Sequence, residues 1–215
     1  MQAVGGTTLN ADEQAAPRFA PRAVALLAAT AAVAVVVDQW VKHLSTENLD
    51  PGSPGNPGES VRILGGLVYL SLLRNSGAAF SFGSDFTWIF PLITLVVVGV
   101  IGWLASRLRS VPWGLSLGLV LGGALGNLMD RLFRAPGPFQ GHVVDMISVF
   151  APNGEKFAVF NIADSCLTVG VCIAVLLELT GRQRDGTRIT GKETATTTPA
   201  EAVTTTPAEP DGEKS

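Results

Sequence analysis

The sequence predicts an all-α membrane bundle of four spanning helices, with two or three short strands held outside the bilayer. Three observations carry that expectation. The 215 residues are 47% hydrophobic and 15% charged, with a mean hydropathy of +0.36, too apolar for an ordinary soluble domain. Four apolar runs each approach the roughly 20 residues that cross a bilayer as a helix. Acids and amides are sparse in these runs but gather near the same end of each segment: Asp38, Asn127, Asp130, Asp145, Asn161 and Asp164. The net charge of −3 resides mostly in tails and loops, so it implies no nucleic-acid partner.

Residues 1–17 are small and polar and are expected to form a disordered tail ahead of a single domain, 18–181. Arg18 and Arg22 then precede Ala23–Val37, an unbroken apolar run. It is not expected to be a cleaved leader, because Asp38-Gln39-Trp40-Val41-Lys42 continues its helical register and no A-x-A site follows. The first span is therefore placed at about 21–42. Asp38 and Lys42 stand four apart on it, either as an ion pair at the membrane edge beside an anchoring Trp40 or as the brace of a site. Asn48–Ser60 is a Pro/Gly loop, and Ser60–Phe82, broken by glycines and by Arg74-Asn75-Ser76-Gly77, predicts short strands.

The second span is placed at about 86–106 between Trp88 and Trp103, and the third at about 112–131 after Pro112. Gly114, Gly118, Gly122 and Gly126 recur every fourth residue in the third, a smooth stripe that lets another backbone approach closely. It ends in Asn127-Leu128-Met129-Asp130-Arg131, whose polar members cluster on the helix end. Asp145 lies between valine and methionine, an odd setting for a solvated loop acid. The fourth span is placed at about 157–178, with Asn161 and Asp164 on one helical face and Asp164 about 10 Å in from Phe157. Cys166 and Cys172, six apart in that run, are beyond disulfide reach and read as core packing.

Residues 182–215, Arg-rich and then Thr/Ala/Pro/Glu-rich, are expected to be a disordered cytoplasmic tail. Arg18, Arg22, Arg107, Arg109, Arg182, Arg184 and Arg188 fall on one side of the alternating spans, which places both termini in the cytoplasm and the acidic ends outside. Two histidines and no thiolate cluster make a poor zinc site, and Ser165 lies in no G-x-S-x-G motif, so no metal, cofactor or serine nucleophile is expected. Two carboxylates held close share a proton, leaving one acid and one base for a single water, which suits amide hydrolysis. Intramembrane acids also serve ion-coupled carriers, and the residues alone leave that alternative open.

Five blocks bear on the choice. Asp38-Gln39-x-x-Lys42, Arg74-Asn75-Ser76-Gly77-Ala78-Ala79-Phe80, Gly122–Arg131, Gly141-His142-Val143-Val144-Asp145 and Phe160-Asn161-Ile162-Ala163-Asp164-Ser165 stand in the order and approximate spacing of the signature blocks of signal peptidase II. Over roughly residues 30 to 180 the chain resembles that family of bacterial intramembrane aspartyl peptidases. The resemblance implies four transmembrane helices with a small extracytoplasmic β-cradle, here about 58–84, and an outer helix or loop beside the site. It implies cleavage of diacylglyceryl-modified prolipoproteins on the amino side of the lipidated cysteine, in the bacterial cell membrane. It further implies Asp145 and Asp164 as catalytic, Asn75, Asn127, Arg131 and Asn161 as polar residues around dyad and substrate, Asp38 and Lys42 as a supporting pair, and Asp130 as a structural partner of Arg131. The expected partners are prolipoproteins and membrane lipid, with the enzyme a monomer. Residues 135–140 look like an insertion against the family pattern, and Met146 stands where an aromatic is usual.

Overall fold

A computed structural model describes residues 20–53, 56–77 and 89–189. Helix α1, Pro21–Asn48, starts with proline in its first turn, where the missing N–H has no intrahelical partner to lose. Strands β1, Val61–Ile63, and β2, Val68–Asn75, follow, then helices α2, Ile89–Ala105, and α3, Val111–Phe133, strand β3, Val143–Val149, and helix α4, Ile162–Leu179. By length and composition α1, α3 and α4 can cross a membrane, whereas α2 spans 17 described residues.

The glycine stripe determines how these helices meet. A Cβ at Gly114 would strike Ala23 O, one at Gly118 Leu27 O, and one at Gly122 Ala31 O and the Ala34 side chain. Sequence numbers rise together along the contact, so α1 and α3 run parallel with their backbones nearly touching. The other side of α3 receives α4 the same way. Gly123 faces Ala163 and Leu167, while Gly170 faces Ser116 and Val120, so α4 runs antiparallel to α3. Ser116 Oγ donates to Gly170 O at 2.8 Å across this contact. Gly118→Ala places a methyl 2.7 Å from Leu27 O and 2.8 Å from the Thr30 side chain. Overpacking of this kind costs about 1–3 kcal/mol. A lowered unfolding temperature in detergent, with the site chemistry intact in the remaining folded protein, is the expected result; an unchanged temperature would refute so tight a contact.

One end of the bundle gathers Arg107, Arg109, Arg182, Arg184 and Arg188. Ala20 N donates to Leu108 O at 2.8 Å, Trp113 Nε1 to Arg182 O at 2.8 Å, and Arg109 N and Ser110 N to Arg184 O. Residues 182–188, read from the sequence as the start of a disordered tail, therefore form an ordered turn packed on the α2–α3 connection. The apolar core of this half holds Ala23, Leu27, Ile101, Leu108, Trp113, Leu117 and Leu177. Cys172 is exposed on α4 and Cys166 half-buried, so only the latter contributes to packing.

At the other end lies a three-stranded antiparallel sheet in the order β1-β2-β3. Two of its strands fall within the expected cradle, and the third comes from residues 143–149, where the sequence showed only an apolar return. Residues 78–84 of that cradle lie outside the described residues, as do residues 1–19 and 190–215. Pairing runs Val68–Val149 and Leu70–Ile147, then Leu73–Asp145 and Asn75–Val143, so β2 carries one extra residue between Leu70 and Leu73. A one-residue bulge exchanges the faces of everything beyond it. Without it Asn75 would point away from the face that Asp145 occupies.

Helix α4 begins later than its apolar run. Phe160 pairs with Ile147, its N–H donating to Ile147 O at 3.0 Å and its carbonyl accepting from Ile147 N at 2.8 Å. This extended link ends in Asn161, the N-cap, and the helix starts at Ile162. Asp164 thus lies in the first turn and not 10 Å along the helix.

Candidate active site

Three asparagines surround two carboxylates. Asn75 Nδ2 donates to Asp145 Oδ2 at 3.0 Å, Asn161 Nδ2 to Asp145 Oδ1 at 2.6 Å, and Asn127 Nδ2 to Asp164 Oδ1 at 2.8 Å. Each amide is oriented by a group that can only donate to its carbonyl. Gly77 N–H bonds Asn75 Oδ1 at 2.8 Å, Asp164 N–H bonds Asn161 Oδ1 at 2.9 Å, and the Lys42 ammonium bonds Asn127 Oδ1 at 3.1 Å. The carbonyl must face the donor, so the NH₂ must face the carboxylate. Asn161 is the hinge of the site. It caps α4, receives from Asp164 and donates to Asp145, while its own N–H reaches Asp164 Oδ2 at 3.2 Å in a reciprocal capping box.

Beneath lies an ion cluster. Lys42 Nζ is 2.8 Å from both Asp38 and Asp130, and all three side chains are fully shielded. Asp38 Oδ1 accepts from Ala163 N at 2.9 Å, which ties α1 to the first turn of α4. Asp130 receives Arg134 Nε at 2.6 Å, Val144 N at 3.1 Å and Gln39 Nε2 at 3.2 Å. Asp38 and Lys42 thus form a shielded pair in contact with Asn127, Asp130 and the first turn of α4. The expected pairing of Asp130 with Arg131 is not found: Asp130 bonds Lys42 of α1 and Arg134, four residues further along its own chain. Arg131 instead points to the cavity side, its Nη1 donating to Ser76 O and Gly141 O at 3.1 Å. Its guanidinium lies 5.1 Å from the Phe90 ring centroid.

Asp145 and Asp164 line one cavity of about 320 Å³ between α2, α3 and α4, together with Asn75, Asn127 and Arg131. Its far wall is apolar, with Ile93, Val97 and Leu167. Gly77, at φ +89°, lines it too, where a side chain would collide with Phe90, so its lack of a Cβ serves both the turn after β2 and the cavity wall. Asp145 is 1% exposed, and burial pushes its carboxyl up to about 6. The Asn75 hydrogen bond opposes this, Asp164 adds to it, and Asn161 and Lys42 oppose it further. Among the described residues, no three His, Cys, Asp or Glu side chains group as a metal site. Ser165 Oγ donates to Asn161 O at 3.0 Å and serves the helix turn.

The structure thus brings together all nine expected site residues, in two layers. Sequence reasoning missed Gln39, which stands between Asp38 and Asp130 and bonds Gly126 O at 3.0 Å, and Phe90, which supports Arg131. Gln39 was legible as a polar side chain adjoining the Asp38–Lys42 pair in an apolar span; nothing in the run around Phe90 sets it apart.

Fold and site describe a bundle of membrane-length apolar helices in which a carboxylate pair, Asp145 buried and Asp164 half-buried, lines a half-apolar cavity. A family model described as signal peptidase (SPase) II matches residues 30–180. Lipoprotein signal peptidases of Rhodococcus jostii, Streptomyces coelicolor and Mycobacterium leprae are 47%, 46% and 44% identical, over 76%, 77% and 79% of this chain and 77%, 76% and 79% of theirs. Two solved structures, both described as a bacterial membrane enzyme, superpose with TM-scores of 0.61 and 0.59 at 26% identity. Each covers 73% of this chain, and 94% and 88% of the respective solved chain is covered. The chain belongs to the signal peptidase II family, and it is a peptidase of a bacterial membrane.

Proposed function

We propose that Asp145 and Asp164 are the catalytic dyad of an aspartic endopeptidase, and that four helices carry it across the membrane with both termini cytoplasmic and the dyad on the outer side. The family membership makes the chain a lipoprotein signal peptidase, which removes signal peptides from prolipoproteins during lipoprotein maturation. The observation that supports the aspartic mechanism is the pair of carboxylates on one cavity, linked through Asn161.

In this reading Asp145 is the member that holds the proton, and Asp164 takes one from a water placed between them. The water oxygen bonds to the scissile carbonyl carbon. As the C–N bond breaks, Asp145 gives its proton to the leaving amine, and the proton held by Asp164 restores the pair. Arg131, anchored through Nη1, offers its remaining N–H groups to a substrate carbonyl. The carrier alternative lacks support: among the described helices Asp38, Asp130 and Asp164 lie at the cavity end, Glu178 of α4 lies at the other end, and no acid lies between them, whereas a relay would continue through the bilayer depth.

The apolar wall of Ile93, Val97 and Leu167 beside the dyad is the proposed seat of the diacylglyceryl group, cut on the amino side of the lipidated cysteine. The purified protein should cleave a lipidated prolipoprotein and leave the unlipidated precursor largely intact in the same assay. Equal rates on the two would refute a lipid-reading site while leaving the peptidase in place.

The pH dependence has a defined sign. Burial raises the folded-state value of Asp145, so its stabilising contribution is complete below the ordinary carboxylate range and is lost as pH rises through about 6. The cleavage rate should bend downward above the same region as the acid is lost, reporting the pair as a unit. Asn75→Ala removes a donor that favours the ionised form, so the bend should move to higher pH. A bend that stays put or moves down would exclude Asp145 as the proton holder.

A further inference from the structure

We propose that the end of the bundle opposite the dyad binds the phosphate headgroup of an anionic phospholipid, in a site built by residues 181–189 against the α2–α3 connection. The chain does not leave the bundle after α4. Arg182 N donates to Leu177 O at 2.9 Å, Gln183 N to Thr187 O at 2.9 Å and Ile189 N to Gly181 O at 2.9 Å, which closes a small hairpin. Asp185 Oδ1 secures its tip by accepting from Thr187 N at 2.9 Å and Thr187 Oγ1 at 2.7 Å. Arg109 N and Ser110 N, both bonded to Arg184 O, fasten it to the turn before α3.

This places Arg182, Arg184 and Arg188 beside Arg107 and Arg109. Two cavities open among them, one of about 240 Å³ with Trp103, Arg107 and Arg184, the other of about 470 Å³ with Arg109, Arg182 and Arg188. Asp185 is the acid that lines the smaller cavity, its carboxylate engaged by Thr187, and the larger cavity is lined by no acid. None of the five arginines forms a salt bridge with a described carboxylate. Arg107 and Arg184 lie over the rings of Trp103 and Trp113, at 5.5 and 5.3 Å from their centroids, so part of the ordering that binding would require is already complete. A guanidinium fork matches phosphate oxygens in pairs.

A lipid headgroup fits better than a free anion because the rim is apolar. Trp103, on the smaller cavity, is 61% exposed, and Leu179, the last residue of α4, is 79% exposed, the pattern of a membrane interface, and basic pockets between helix ends recognise anionic headgroups. An ordinary basic flank would leave its arginines on loose chain; here backbone bonds hold them. The hairpin lies past residue 180, where the match to the family model stops, while Arg107 and Arg109 lie within the matched range.

The site rests on the bundle crossing the membrane and is independent of the dyad. The test uses the full chain in uncharged detergent, titrated with dioctanoylphosphatidylglycerol, dioctanoylphosphatidylcholine or inorganic phosphate while tryptophan fluorescence and unfolding temperature are followed. A saturable response to the glycerol lipid, absent with the choline lipid and much weaker with phosphate, is expected. The combined variant Arg182→Gln, Arg184→Gln, Arg188→Gln should weaken that response roughly a hundredfold, at about 1 kcal/mol per arginine near a headgroup, with prolipoprotein cleavage in lipid-free micelles unchanged. If it fails to fold, Arg107→Gln with Arg109→Gln takes its place, and should weaken the response about tenfold or more. An equal response to the choline lipid, phosphate as effective as lipid, or full affinity in the folded variant would each overturn the proposal.

Discussion

Asparagine at Asp145 or at Asp164 is expected to lower turnover by about 10²–10⁴-fold, the usual worth of general acid–base catalysis, while the folded protein is retained. The substitution keeps the shape, and its one oxygen still accepts from one of the two donors that each carboxylate meets, so the loss should appear mainly in kcat. Because the two carboxylates act as one unit, the double variant should be hardly slower than either single one. Chelators and serine-directed reagents should leave the rate unchanged. Near-normal turnover in either single variant, measured on a lipidated prolipoprotein, would overturn the assignment of the dyad. So would additive losses in the double variant, since independent groups would multiply their effects.

The second large effect is on folding. Lys42 is the cation between Asp38 and Asp130, 2.8 Å from each, with no access to water. Lys42→Met leaves two shielded carboxylates facing each other, and breaking a buried ion pair from one side costs about 3–5 kcal/mol. The yield of folded protein in detergent should collapse. Adding Asp38→Asn removes one charge of each sign from the cluster, and the asparagine oxygen still accepts from Ala163 N. Folding should then largely return. Turnover should not, because the donor that holds Asn127 Oδ1 is still missing and Asn127 presents its NH₂ to Asp164 less firmly. A Lys42→Met protein with wild-type yield would show that the cluster is not what holds α1, α3 and α4 together at this end. Full activity in the compensated variant would separate Lys42 from the site chemistry.

Much of this architecture is written in local pattern. Apolar run length places the four helices, because a segment that must satisfy its own backbone in lipid has few other choices. The glycine stripe of α3 is legible for the same reason: four small residues on one face permit a close neighbour, and α1 is that neighbour. Gly123 and Gly170, off the stripe, bring α4 equally close and were not singled out, because a single small residue carries no period. The polar blocks, taken in order, designate nine residues that converge at one end of the bundle.

Other features depend on which segments meet. The third strand of the sheet comes from residues 143–149, whose apolar run has no partner until β2 lies beside it. The bulge in β2 is a property of pairing and is invisible in either strand alone, yet it turns Asn75 toward Asp145. The start of α4 moves from Phe157 to Ile162 because Phe160 is claimed by Ile147, a tertiary bond that propensity cannot see. Asp130 adjoins Arg131 in sequence, but helix geometry points successive residues apart, and Lys42 reaches it from α1. Likewise Arg182–Arg188 read as tail until Arg109 and Ser110 supply the backbone donors that hold them. The sequence by itself determined which residues are polar in an apolar chain, and so which ones must find partners. The tertiary structure decided who those partners are, because in the shielded interior every donor must meet an acceptor and only the packed helices bring the two within 3 Å.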